Sequence, residues 1–384
     1  MMLSRASFLL PAALIAGLVA VFLTAQPFDY LSKGAPPGEE LSVEHVRLDD
    51  TGIHATVRAA GSEPMIIAQV QVDGAYRSFS QDPPGPIGYL QTARLDIPYP
   101  WITGEAHHLV FLTSTGTGFE HTIEVAVATP GTTFSDLAGL ALVGLFVGIV
   151  PVLIGFAFYP ALMSFGESGR QFALALTIGL LAFLLIDTMG EGLEAAEKVV
   201  GGLKADLAVW LSALLTTLTL LAVGRRGGRP PEGVALAYFI AIGIGVHNLG
   251  EGLAIGASFA AGEIALASFL VLGFALHNVT EGVAISAPIR REAMSPVTLA
   301  WLAVIAGGPA IPGAMTGGLS ISPFWTALAF GVGAGAILQV IIEVGGMFLR
   351  RKRDLSVPWY SAASLVGFSS GIVVMYATAF AVRS

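Results

Sequence analysis

Beyond residue 134 the chain settles into one repeated pattern, in which long runs of apolar positions alternate with short polar stretches. Eight runs stand out, at 135–158, 171–196, 206–223, 234–259, 264–289, 297–315, 323–348 and 359–382. A bilayer core takes about 20 helical residues to cross, so each run is long enough to span one. Gly, Ala and Ser are dense in these runs, which lets helix backbones approach closely where lipid is the solvent.

The preceding segment has another rhythm. Residues 28–130 carry charges, prolines and short alternating stretches at 41–48, 53–59, 65–72, 108–113 and 121–128, the period of half-buried strands. Turn-forming residues separate these stretches at 50–52, 73–74, 83–86 and 116–118. The spacing predicts a small all-β sandwich of about 100 residues. At the N-terminus Arg5 precedes an apolar run at 6–25, which fits a signal peptide or an anchor helix. Leu23 stands where cleavage after Ala25 would want a small residue, which favours the anchor. The expected organisation is a signal or anchor over 1–26, an extracytoplasmic β-sandwich over 27–130 and an eight-span bundle over 131–384. The fold class is thus a mainly α membrane protein with an added β-domain.

Composition agrees. Only 12% of residues are charged, against about 25% in soluble domains, and 54% are apolar. Several acids behind the net charge of −8 lie inside apolar runs, so they speak of buried function, and no nucleic-acid partner is expected. The absence of cysteine removes disulfides, thiolate metal sites and cysteine catalysis, and any metal must be held by nitrogen and oxygen. Lys and Arg collect in cytoplasmic loops. Here Arg170, Arg225, Arg226, Arg229, Arg290, Arg291, Arg350, Arg351, Lys352 and Arg353 follow odd-numbered spans. Only Lys198, Lys204 and Arg383 lie on the other side. That asymmetry orients the odd loops towards the cytoplasm, with the β-domain and the C-terminus outside.

The most specific chemistry is a near-repeat. His247-Asn248-Leu249-Gly250-Glu251-Gly252 lies in the fourth run and His277-Asn278-Val279-Thr280-Glu281-Gly282 in the fifth, thirty residues later. His and Glu four residues apart project from one helix face, with Asn beside the His. Both motifs fall near mid-span on helices that run antiparallel, so two imidazoles, two carboxylates and two amide oxygens are expected to meet near the bilayer centre. A charged residue there costs about 2.5–3.5 kcal/mol, and neither helix carries Lys or Arg to neutralise Glu251 or Glu281. A divalent cation does so directly, and imidazole with carboxylate suits zinc, iron or manganese. The bland alternative, buried histidines satisfied by neighbouring helices, is weakened by the repetition.

Asp187 and Glu191 in the second run repeat the acid-Gly pattern towards its outer half, and Gln339 and Glu343 share the spacing towards the inner half of the seventh. They read as pathway residues, an outer-side station and an exit-side or proton-accepting group, with interfacial capping an equal alternative. His45, His54, His107, His108 and His121 in the β-domain read first as surface residues and only secondarily as metal capture. No metalloprotease, nucleophile-elbow or phosphate-loop motif occurs, so no enzyme activity is expected and transport would be driven by gradients.

At these motifs the chain resembles the ZIP (zinc and iron permease) family, GufA-like branch, over residues 135–384, most closely in HNLGEGLAIGASF, HNVTEGVAISAPI and AFGVGAGAILQVIIEV. The resemblance implies an eight-span carrier of the bacterial inner membrane, both ends outside, moving Zn2+ (or Fe2+, Mn2+) into the cytoplasm. It implies His247, Asn248, Glu251, His277 and Glu281 as transport ligands, Asn278 as a bridging or second-site ligand, and leaves room for a homodimer. Gly250 and Thr280 stand where the family usually has proline, so a softer helix break is expected at the motifs; Ile311 replaces an expected glutamate in the sixth run, so one dominant site is expected. A metal-dependent membrane enzyme and a metal sensor or receptor remain the alternatives.

Overall fold

Strand-period alternation and long apolar runs become two kinds of structure. The computed structural model describes residues 13–18, 20–21, 38–129, 133–164, 166–225, 231–260, 264–289, 294–319, 322–350 and 361–383. Residues 1–38 form one unit, in which 13–18 and 20–21 are helical, and the rest of the expected 6–25 segment lies outside the described residues. Glu39–Ser384 forms the other.

The β-domain has two antiparallel four-stranded sheets. One holds β1 (Leu41–Asp49), β2 (Gly52–Ala59), β5 (Ser80–Asp82) and β6 (Thr92–Ile97) in the order β1-β2-β6-β5. The other holds β3 (Ile67–Val72), β4 (Ala75–Arg77), β7 (His107–Thr113) and β8 (Gly118–Ile123) in the order β4-β3-β7-β8. Alternate residues such as Ile53, Ala55, Val57, Val70, Val72, Leu95, Leu109 and Phe111 turn inwards and form one core between the sheets. The expected strand at 121–128 ends at Ile123. Beyond it Thr129 N donates to Leu48 O and Leu48 N to Thr129 Oγ1, so the chain leaves β8 and bonds to β1 in the facing sheet.

Among the described residues eight helical segments are long and apolar enough to cross a membrane, as the hydropathy pattern predicts. Span 1 is Phe134–Phe156, continued by Tyr159–Ser164; span 2 is Glu167–Glu197 and span 3 Ala205–Gly224. Span 4 is Gly233–Ala260 and span 5 Ile264–Ser286. Span 6 is divided into Pro296–Gly307 and Ala310–Gly317, span 7 is Pro323–Arg350 and span 8 Ala362–Arg383. Leu207, Trp210, Leu211, Leu214, Leu215 and Leu218 of span 3 are exposed, which suits a face in lipid. Spans 2, 3, 7 and 8 pack mainly on one another, spans 1, 4, 5 and 6 likewise, and span 4 against span 7 joins the groups. Of the residues used to orient the chain, Arg226, Arg229, Arg290, Arg291, Arg351, Lys352 and Arg353 lie outside the described residues, as does the 261–263 connection.

The β-domain meets the bundle at even-numbered connections. Glu40 Oε1 accepts from Gly201 N between spans 2 and 3, where Tyr89 also packs on Gly202. Glu44, held by Arg58 at 2.6 Å, accepts from Ser322 Oγ at 3.0 Å ahead of span 7.

Candidate metal centre

Helices carry both motifs without interruption, so the four-residue spacing puts each His and Glu on one face. The two faces meet. His247, Asn248, Glu251, His277, Asn278 and Glu281 are all buried, Asn248, Glu251 and Asn278 completely at 0% exposure. Glu251 Oε1 is the point of convergence: His247 Nε2 lies 2.9 Å from it and His277 Nε2 bonds to it from the neighbouring helix. His247 Nε2 also lies 4.0 Å from Glu281 Oε1, and the imidazole centroids are 6.2 Å apart. Among the described residues, His247, Glu251 and His277 form the one group of three or more ligand-type side chains whose atoms all lie within 4.8 Å of one another.

The asparagines sit between the helices in crossed fashion. Asn248 Nδ2 donates to Glu281 Oε2 at 3.0 Å, and Asn278 Nδ2 donates to Glu251 Oε2 at 3.3 Å. Their nitrogens therefore face the carboxylates. Asn248 Oδ1, Asn278 Oδ1 and Glu281 Oε1 have no hydrogen-bond partner despite their burial, and His247 Nε2 has only its ion-pair approach to Glu251. Buried polar atoms are nearly always satisfied, so three unpartnered oxygens in one cluster fit a cation-binding group. Among the described residues no Lys or Arg pairs with Glu251 or Glu281.

The surroundings fix the rings. Thr188 Oγ1 of span 2 lies 3.4 Å from His247 Nδ1; with Nδ1 donating, Nε2 keeps its lone pair for the acids' side. Phe274 packs on His277 at 5.3 Å between centroids. Gly333 of span 7 lies against His247, where a Cβ would come within 3.1 Å of its Cα. The contact of Thr188 with His247 has no signal in the sequence, because which helix faces a histidine is decided by tertiary packing. The motif glycines pack outwards: a Cβ on Gly252 would fall 2.3 Å from Ala310 O of span 6, and one on Gly282 2.4 Å from Val152 O of span 1.

The other sequence candidates make no hydrogen bond or ion pair with this cluster among the described residues. Asp187 and Glu191 are half-buried on span 2, flanking Thr188 on the stretch that faces His247, and Glu191 lies within electrostatic reach of Glu251 and His277. Gln339 and Glu343 are buried on span 7. Glu343 Oε1 accepts from Arg225 Nε at 3.0 Å at the end of span 3, so an arginine otherwise read as a loop charge neutralises a buried acid. In the β-domain, His54 bridges Asp96 at 2.5 Å and Asp49 at 3.0 Å, and His107 pairs with Asp73 at 2.9 Å. His54 thus uses both ring nitrogens on the module's own acids, and His107 uses Nδ1 on an acid while its Nε2 accepts from Ile102 N. Thr51, chiefly through its hydroxyl, holds the Asp49 carboxyl well below the usual range, and burial pushes the His45 and His121 imidazoles down.

The arrangement offers two imidazole nitrogens and the Glu251 carboxylate, with Glu281 beside them, inside a bundle of helices long and apolar enough to cross a membrane; His247, Glu251 and His277 could hold a metal ion. No family model matches the chain, and no curated protein matches it.

Proposed function

We propose that the chain carries divalent metal ions across a membrane, zinc foremost and iron or manganese as further cargo, through the cluster of His247, Glu251, His277 and Glu281 with Asn248 and Asn278. The observation that carries this reading is the convergence of two histidine nitrogens from different spans on Glu251 Oε1 in a fully buried setting. The motif resemblance to the ZIP family supports it, including movement towards the cytoplasm and a location in the bacterial inner membrane with the β-domain outside.

In this reading the carboxylates and neutral imidazoles bind the ion and are neutralised by it, which lowers the cost of acids at that depth. Rocking of one helix group against the other exposes the site to each side in turn. Ligand deprotonation accompanies binding, so protonation of His or Glu assists release. Ile311 leaves no acid in the sixth span, which suits one dominant site and an ion able to leave. The eight-span part of the sequence has two histidines, too few for a di-iron histidine-box enzyme, so the chain is read as a carrier and not an enzyme.

The test is flux of Zn2+, Fe2+ and Mn2+ into proteoliposomes. Wild type should load the vesicles, and Glu251→Ala and His277→Ala should fall to the level of empty liposomes. Either variant transporting like wild type would overturn the assignment.

A further inference from the structure

Each motif asparagine is held at a place where a neighbouring span is interrupted. In span 1, Pro151 lies inside the helix and has no N–H, so the carbonyl four residues back, Val147, has no donor there. Asn278 Nδ2 donates to Val147 O at 3.0 Å. In span 6 the helix stops at Gly307 and resumes at Ala310, and Asn248 Nδ2 donates to Ala306 O at 3.0 Å. A carbonyl can only accept, so these contacts decide which end of each amide is nitrogen. The second proton of each amide then goes to the acid of the other motif. Close backbone approach makes this possible. A Cβ on Gly155 would fall 2.2 Å from Val279 O, and one on Gly148 2.1 Å from Gly307 O, so spans 5 and 6 both press on span 1.

We infer that Pro151 is a positioning residue for the metal cluster: by withholding an N–H from Val147 it assigns that carbonyl to Asn278, whose amide then holds Glu251 against the two imidazoles. The inference rests on the metal-carrying reading and adds to it a residue that touches no cargo. Orienting partners of this kind typically alter metal affinity by about 10- to 100-fold when removed.

The experiment measures zinc affinity by calorimetry and the metal-free thermal midpoint of the full chain in nanodiscs, for wild type, Pro151→Ala and Asn278→Asp. Alanine restores an N–H that Val147 O can accept, so Pro151→Ala should bind zinc at least about tenfold more weakly while its metal-free midpoint holds or rises. Asn278→Asp, assayed at a pH where the new carboxyl is ionised, keeps the shape and the oxygen but has no proton to give, and should weaken binding similarly. A proline that only kinks the helix would change the midpoint and leave affinity at the wild-type value, which would overturn the inference. So would Asn278→Asp binding as tightly as wild type, because Asn278 would then act through its oxygen; this variant decides alone if Pro151→Ala does not fold. Wild type that binds no divalent ion removes the metal reading and this inference together, whereas wild type and both variants binding equally removes the inference alone.

Discussion

His247 illustrates what single residues contribute. Its Nε2 faces the acids while Nδ1 faces Thr188 Oγ1 at 3.4 Å, a long contact that orients more than it binds. Thr188→Val keeps the volume and removes the oxygen, leaving a buried ring nitrogen without a partner. Zinc affinity should fall about tenfold, the lower end for an orienting partner, with recovery in Thr188→Ser. Equal affinity for wild type and Thr188→Val in a binding titration would show that packing such as that of Gly333 against His247 orients the ring without the hydroxyl. The histidines and acids were legible in the sequence because helical spacing is local and the motif occurs twice. Thr188 and the Arg225–Glu343 pair were not, since nothing local says that the end of span 3 lies beside span 7.

At the scale of elements, apolar run length fixed the number of spans, because a bilayer imposes one length on every helix. The division of span 6 was invisible to hydropathy, although Gly307, Gly308 and Pro309 carry the signal of a breaker. The softer break expected from Gly250 and Thr280 corresponds to helices that continue through both motifs, with Thr280 Oγ1 donating back to His277 O at 2.6 Å. β6 was missed because its alternation at Thr92–Ile97 follows a stretch dominated by turn residues.

Two predictions belong to this scale. Gly252→Ala would set a Cβ 2.3 Å from Ala310 O, so spans 4 and 6 must separate; overpacking of about 1–3 kcal/mol is expected, read as a lower thermal midpoint. An unchanged midpoint would mean that the two backbones are not so closely pressed. Removing one partner of Arg225–Glu343 leaves an acid that is 1% exposed without a counter-charge. Arg225→Met should therefore lower the midpoint, and Glu343→Gln added to it should restore much of the loss. A double-mutant cycle with no coupling would argue that the half-exposed guanidinium contributes little.

Across the whole molecule, the β-domain rests on the connections that precede spans 3 and 7, through Glu40, Glu44 and Tyr89. Its shifted imidazoles and carboxylates act in one direction. Burial depresses the His45 and His121 imidazoles, so the unfolded chain takes up protons first as pH drops below about 6.5, and stability present at neutral pH is lost towards the lower folded values. Asp49 is depressed by Thr51; for Asp96 burial pushes up, but bonds from His54 and Arg94 prevail. Their stabilisation is present above about pH 4 and is lost as pH falls through the depressed values. Strand amides of the β-domain should therefore lose hydrogen-exchange protection between about pH 7.5 and about pH 5, after correction for intrinsic rates, as the histidine contribution goes. Identical protection at the two values would show that neither histidine is buried as described.

The crossed amides also bear on modularity. Because the donor on one helix serves the acid on the other, a six-residue motif grafted singly into an unrelated helical hairpin would import a carboxylate stripped of its hydrogen-bond support. Any transplant must move four strips of backbone together: both motifs, the proline turn of the first span and the gap in the sixth.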